Sequence, residues 1–115
     1  MSKREWRLYI EDILESIELI RKYTENMKYT DFNRDRKTID AVVRNFEVIG
    51  EASKYILGEV KKTHQEIDWE GIVGLRNRIA HKYFDVSTSI IWQIVANELP
   101  TLKSQMNEIL RFTRN

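Results

Sequence analysis

The 115-residue sequence contains no cysteine, one proline and four glycines. A chain without cysteine cannot form disulfides, thiolate metal sites or a thiol nucleophile, and it is typical of a reducing compartment, so we expect a cytoplasmic protein. No apolar run approaches the ~20 residues that a spanning helix needs, and no membrane segment is predicted. The composition excludes collagen-like and disordered chains, and the length predicts a single domain, residues 1–115.

Charges of both signs are abundant and nearly balanced, with 19 basic and 18 acidic residues and a net charge of +1. They are spread evenly along the chain, so no basic tail or lobe indicates bulk affinity for nucleic acid. One segment differs: residues 76–82 hold two arginines, a histidine and a lysine, with no acid between Glu70 and Asp85. This segment is the strongest candidate for binding an anion.

Apolar residues recur at spacings of three and four in four segments, which is the pattern of amphipathic helices. The predicted helices cover about residues 4–27, 39–60, 69–84 and 87–110, with a turn near 29–33. Asp68 and Ser87 are expected to cap the third and fourth helices, and Pro100 to interrupt the fourth. No segment alternates with a period of two. The predicted fold is all-α, an antiparallel four- to five-helix bundle.

Several known site patterns are missing from the sequence. The Glu-x-x-His pair of a bundle metal site would require Glu three residues before a histidine, but Lys61 and Arg78 stand before His64 and His81. No phosphate-binding glycine loop or serine nucleophile elbow occurs. We therefore predict no metal site and no cofactor, and we expect His64 at the surface among polar neighbours.

The cationic segment, residues 76–83, reads Arg-Asn-Arg-Ile-Ala-His-Lys-Tyr. It gathers an imidazole, permanent cations, an amide and a phenol, a set that suits binding a phosphate and moving a proton near neutral pH. A histidine and an arginine on a helix are nevertheless more often a solvated surface than a catalytic pair. Residue types alone leave both interpretations open.

Helix geometry adds a constraint on this segment. On one continuous helix Asn77 and His81 share a face, whereas Arg76 lies about 140° round from His81. Either the helix breaks inside the segment or a second copy of the chain completes the site, and symmetric dimers are the commonest oligomers. We predict a homodimer whose interface includes residues 76–83.

Glu47 and Glu51 stand one helical turn apart in the second predicted helix. Such a pair could serve as acid and base, although a solvated helix edge is the more common role. Glu51 is kept as a candidate accessory residue.

The spacing of Arg76, His81 and Tyr83 resembles the R-x4-H-x-Y signature of the HepT-like branch of the HEPN superfamily, and Asn77 is the residue usual after its arginine. Residues 40–53, with an Ile-Gly-Glu-Ala core, resemble a second block of the same family. The resemblance extends to about residue 110. Further matching residues are Trp69, residues 74–77, Ile91 with Trp92, and Leu99 with Pro100.

The resemblance implies an all-helical, dimeric HEPN protein that acts as a metal-independent endoribonuclease on RNA. It implies that Arg76 and His81 are the catalytic residues, and that Asn77, Arg78 and Lys82 bind or orient the substrate. In this family the ribonuclease is the toxin of a type VII toxin–antitoxin system.

The family's antitoxin partner is a minimal nucleotidyltransferase of the MntA type, which neutralises the toxin by adding AMP to the motif tyrosine, here Tyr83. Two alternatives remain at this point. One is a non-catalytic HEPN module that binds nucleotide or RNA, and the other is a structural dimer that only holds the nucleotidyltransferase.

Overall fold

The computed structural model describes residues 5–81 and 85–113, and its elements are helical. No strand occurs in these ranges, where β pairing is limited to an isolated bridge between Ala80 and Val86. The predicted all-α fold is confirmed. The elements are α1 (Trp6–Thr24), α2 (Tyr29–Arg34), α3 (Arg36–Ser53), α4 (Gly58–Thr63), α5 (Trp69–Val73), α6 (Leu75–Ile79), α7 (Thr88–Gln93), a π-helical turn (Ile94–Glu98) and α8 (Leu99–Thr113).

Most of the buried core residues come from α1, α3 and α8, with α1 packed mainly against α3. Burying a large aliphatic or aromatic side chain stabilises a fold by about 1.5–3 kcal/mol, so the apolar stripes of these helices dominate the stability. Each helix keeps a polar outer face, and none in the described part of the chain is long and apolar enough to cross a bilayer. The fully buried side chains from the three helices include Ile10, Ile13, Ile20, Val42, Phe46, Ile49, Met106 and Ile109.

The helix α1 falls within the predicted range and ends at Thr24, just before Asn26 adopts a left-handed backbone conformation with φ of 64°. The predicted turn near 29–33 is wrong, because the short helix α2 occupies those residues. The Lys28 amide donates to Asp31 (2.9 Å) at its start, and the fully buried Phe32 anchors it. One buried side chain thus fixes a helix too short for a periodic pattern to reveal.

The single helix predicted over 39–60 is also wrong, since α3 ends at Ser53 and α4 begins at Gly58. The Ser53 hydroxyl donates to the Gly50 carbonyl (2.8 Å), and the Lys54 amide turns back to the Glu51 carbonyl (3.2 Å). Ile56 is still buried, because the turn carries it inward. The apolar spacing therefore continues through a bend in the chain.

The last predicted helix is interrupted as expected, but just before Pro100. The Leu99 amide donates to the carbonyl of Ile94, five residues earlier, which defines the π-helical turn. This turn inserts one residue, so Ile94 and Leu99 both face the core although their spacing does not fit a regular α-helix. Trp92 and Val95, which the pattern placed inside, are only partly buried.

Candidate active site

The cationic segment begins in the very short helix α6, which directly follows another short helix, α5. Asp68 caps α5 as predicted, its carboxylate accepting the Gly71 amide (3.0 Å). A break at Gly74 separates α5 from α6, and the chain becomes extended at Ala80, with ψ of 140°. The predicted helix over 69–84 is therefore wrong, and its residues 82–84 lie outside the described ranges.

A hydrogen-bonded loop replaces the missing helical turn. The Ile79 carbonyl accepts the amide of Ser87 (2.8 Å), and the His81 amide donates to the Asp85 carbonyl (2.7 Å). Because these bonds use groups that a continuing helix would need, α6 stops after one turn. His81 stands at the base of this loop with an exposed side chain.

His81 lies beyond the end of α6 and therefore does not share a helical face with Asn77. The prediction that these two residues lie on one face of a continuous helix is wrong. Of the two alternatives that the sequence left open, the helix break inside the segment is observed. Within the described residues no hydrogen bond or ion pair joins Arg76 to His81 in one chain. Both side chains are exposed, one in α6 and one just after it.

Arg76 points to α3, where its Nε lies 3.6 Å from a carboxylate oxygen of Glu47, and both side chains are 44% exposed. The two residues line a cleft of about 320 Å³ between α3 and the α5–α6 junction. We refer to this space as the arginine cleft. Its walls include Phe46, Glu47, Gly50, Glu51, Val73 and Arg76.

Gly50 sets how closely α3 approaches this junction. A Cβ atom at Gly50 would lie 3.0 Å from the Val73 carbonyl oxygen and 3.2 Å from that of Ile72, tighter than ordinary packing. The glycine of the Ile-Gly-Glu-Ala block therefore lets Glu47 reach Arg76. Sequence reasoning missed this role of Glu47, because the contact joins distant parts of the chain and no local spacing signals it.

Arg78 has a different partner. Its guanidinium donates two hydrogen bonds to the Glu98 carboxylate, at 3.0 and 2.6 Å, and ties α6 to the π-helical turn. These bonds raise the pKa of Arg78 above its already high usual value, so it is charged at any physiological pH. Glu98 was also missed by sequence reasoning, since an irregular turn presents it.

The remaining candidates have separate surroundings. Glu51 lines the arginine cleft and contacts Lys54 (3.1 Å) and the Tyr55 hydroxyl (3.4 Å). His64 is not the surface residue expected, because its side chain is only 12% exposed and lies 3.5 Å from Glu66. Lys82 and Tyr83 fall outside the described residues.

The described ranges, 5–81 and 85–113, contain no group of three or more histidine, aspartate and glutamate side chains placed to hold a metal ion. The geometry instead offers exposed cations, an imidazole and a carboxylate around one short helix.

Comparison with known proteins adds an independent result. A family model described as "Ribonuclease HepT-like" matches residues 13–109. The chain is similar to a protein named "Probable ribonuclease HepT" from Thermococcus cleftensis, with 40% identity over 107 residues, 93% of this chain and 97% of that one. A "Putative RNase" of Caldanaerobacter subterraneus is 36% identical over 105 residues, 91% of this chain and 94% of its own. No solved structure gives a significant match.

Proposed function

Because this chain belongs to the HepT-like ribonuclease family of HEPN proteins, we propose that it is a metal-independent endoribonuclease and the toxin of a type VII toxin–antitoxin system. The description of the matching family model and the names of the similar proteins support the ribonuclease role. The observation that carries the proposal is the break after Ile79, which leaves Arg76 exposed in α6 and His81 exposed just beyond it.

The proposed reaction uses the RNA's own nucleophile. The 2′-hydroxyl attacks the adjacent phosphorus and the bond to the 5′-oxygen breaks, leaving a 2′,3′-cyclic phosphate and a 5′-hydroxyl. His81 moves the protons, and the guanidinium of Arg76 stabilises negative charge on the phosphate oxygens. Glu47 lies at the Nε edge of Arg76, which leaves the two terminal nitrogens for phosphate. DNA lacks the 2′-hydroxyl and is not cleaved.

The neighbouring polar residues take supporting roles in this proposal. Asn77, exposed on α6, donates to phosphate. Arg78 orients α6, because Glu98 already accepts from its guanidinium fork. Lys82 contributes a further cation for the substrate, and Glu51 is the accessory acid of the arginine cleft.

The cleavage mechanism is tested with His81→Ala and Arg76→Ala on a labelled single-stranded RNA. General acid–base catalysis contributes about 10²–10⁴-fold, so each variant is expected to lose cleavage, and growth inhibition with it. Arg34→Ala, an exposed arginine of α2, is the control and keeps full activity. Cleavage by the wild type is expected to persist in excess EDTA.

An activity that needs metal and survives His81→Ala would refute this mechanism. RNA binding without cleavage by the wild type would favour the non-catalytic module instead.

We also propose a homodimer whose two copies place their 76–83 segments in one cleft. The support is that Arg76 and His81 make no contact within one chain, and that symmetric dimers commonly build a site from both subunits. Light scattering at micromolar concentration should give a dimer mass. A monomer that cleaves RNA would contradict this.

Neutralisation is proposed to follow from AMP addition to Tyr83 by a minimal nucleotidyltransferase partner. A new phosphate two residues from His81 would compete with the substrate for Arg76 and Lys82. Tyr83→Phe keeps the ring and should escape neutralisation while remaining folded. Mass spectrometry of the co-expressed wild type should find adenylate on the peptide that contains Tyr83; full neutralisation of an unmodified chain would indicate inhibition by binding alone.

A further inference from the structure

A stacked pair of tyrosines lies at the surface where α3 ends. The rings of Tyr9 in α1 and Tyr55 after α3 are 5.1 Å apart between centroids and 24° from parallel. Tyr55 is nevertheless 55% exposed. Since Tyr9 covers one face of the Tyr55 ring, most of that exposed area belongs to the opposite face and the ring edges.

This pair borders a second groove, of about 210 Å³, whose walls include Tyr9, Arg44, Glu47, Glu51 and Tyr55. Glu47 and Glu51 also line the arginine cleft, so the two spaces adjoin along one edge of α3. The Tyr55 hydroxyl donates to Glu51 (3.4 Å), Glu51 lies one turn from Glu47, and Glu47 contacts Arg76 (3.6 Å). One helical turn is about 5.4 Å, so one turn of α3 and two side-chain contacts separate the ring from the cation.

We infer that the Tyr9–Tyr55 pair is a subsite for an unpaired nucleobase of the RNA whose scissile phosphate binds at Arg76; this rests on the proposed ribonuclease function. The base stacks on the open face of Tyr55. Single-stranded RNA is commonly held by stacking on aromatic side chains, with the base edge hydrogen-bonded to polar groups. Glu51 supplies an acceptor and Arg44 a donor on the wall of this groove.

Charge distinguishes a base from other occupants. Asp12, Glu47 and Glu51 line the groove beside a single arginine, Arg44. A phosphate would be repelled by the acids, whereas a neutral base with amino donors fits them. A second copy of this chain fits less well, because the cores of protein interfaces are depleted of charged residues.

The subsite is tested by RNA binding in the His81→Ala background, which prevents cleavage during the measurement. The probe is a short fluorescein-labelled oligoadenylate, read by anisotropy. Loss of one stacked base is expected to weaken binding about 5- to 150-fold in Tyr55→Ala. Tyr55→Phe keeps the ring and should bind like its parent. Tyr23→Ala is the matched control, since Tyr23 is a 40% exposed tyrosine that lines neither groove.

Two further probes connect the loss to a base. Each position of the RNA is made abasic in turn. At one position this change should weaken RNA binding by the parent protein as much as Tyr55→Ala does. Combining that abasic RNA with Tyr55→Ala should weaken binding no more than either change alone. A 2-aminopurine at that position should lose fluorescence on binding the parent but not on binding Tyr55→Ala, because stacking quenches it.

The outcomes separate this inference from the proposed function. Cleavage by the wild type together with equal binding by the Tyr55→Ala and Tyr23→Ala variants overturns the subsite alone. Tyr55-dependent binding without any wild-type cleavage overturns the ribonuclease and leaves the base site. If Tyr55→Ala converts a dimer to a monomer and no abasic position matters, the face is an interface between copies and the inference is wrong.

Discussion

The frame formed by α1, α3 and α8 and the segment from Gly74 to Ser87 are built by opposite means. The frame consists of long helices whose apolar stripes are buried, with Phe46 and Ile49 fully inaccessible to solvent. In its described residues the segment has one five-residue helix, and its exposed polar side chains are those of Arg76, Asn77, Arg78, His81 and Asp85. Regular structure thus provides stability, while interruptions of the backbone present the candidate functional groups.

The same contrast separates two arginines of α6. Arg78 is fixed by two short hydrogen bonds to Glu98, whereas Arg76 makes a longer contact of 3.6 Å with Glu47 and is more exposed. A fixed guanidinium suits a structural tie. A loosely held one can turn its fork to a phosphate with little loss of existing hydrogen bonds.

The largest expected effect tests the contrast between frame and segment. Phe46→Ala removes a fully buried ring and should lower the free energy of unfolding by about 3–5 kcal/mol. Asn77→Ala, at an exposed position of α6, should change it by less than about 0.5 kcal/mol while lowering cleavage. Urea denaturation followed by circular dichroism measures both. Equal destabilisation by the two variants would show that the Asn77 side chain supports the fold as strongly as a buried ring does.

A second, smaller effect concerns the contact between the two regions. Gly50→Ala would press its Cβ against the Val73 carbonyl and should destabilise the fold by about 1–3 kcal/mol, with lower cleavage because α5 and α6 must shift. Gly58→Ala is the matched control, since a Cβ there meets nothing within 4 Å. If the two variants unfold at the same urea concentration, Gly50 does not set this approach.

The frame was largely predictable from the sequence because burial leaves a periodic trace. The stripe that includes Ile10, Ile13 and Ile17 indicated α1, and local oxygens at Asp68 and Ser87 correctly indicated two helix starts. The same apolar spacing led to a wrong prediction after Ser53. The chain turns there but still buries Ile56, so the spacing continues although the helix does not. Spacing records which residues face inward, but not whether the backbone between them is helical.

The candidate site was predictable only in its residue types. The cations and the imidazole of residues 76–83 were evident, but their arrangement depends on long-range bonds such as that from the Ser87 amide to the Ile79 carbonyl. The partners Glu47 and Glu98 are distant in sequence and were not found. Contacts of this kind follow from the packing of the whole chain.

A third effect sharpens the difference between the two arginines. Glu98→Gln weakens an ion pair that is more than a third exposed, and such pairs are worth about 0.2–1 kcal/mol, so the fold should change little. If Arg78 orients α6, kcat falls a few-fold while KM is kept. Glu18→Gln, which weakens the exposed Arg21–Glu18 pair on α1, is the control and should leave both constants unchanged. A lower KM in Glu98→Gln would instead show that the freed Arg78 binds substrate.

The smallest effect compares the helix caps of the two regions under acid. In the frame, the carboxylate of Asp35 accepts the side-chain hydroxyl (2.7 Å) and amide (3.1 Å) of Thr38, and these hydrogen bonds lower the pKa of Asp35. A lowered folded-state pKa means that the cap's contribution is complete above the unfolded-state pKa of about 3.9 and is lost as the pH falls through the folded-state value.

At the end of the segment, Ser87 is the N-cap of α7, and its neutral hydroxyl accepts the Ile90 amide. In urea titrations, wild type should therefore be more stable than Asp35→Asn at neutral pH, and this difference should vanish in strong acid, where both caps are uncharged. The effect of Ser87→Ala should stay constant over the same range. An Asp35→Asn difference that persists in strong acid would mean that the side chain's shape, not its charge, caps α3.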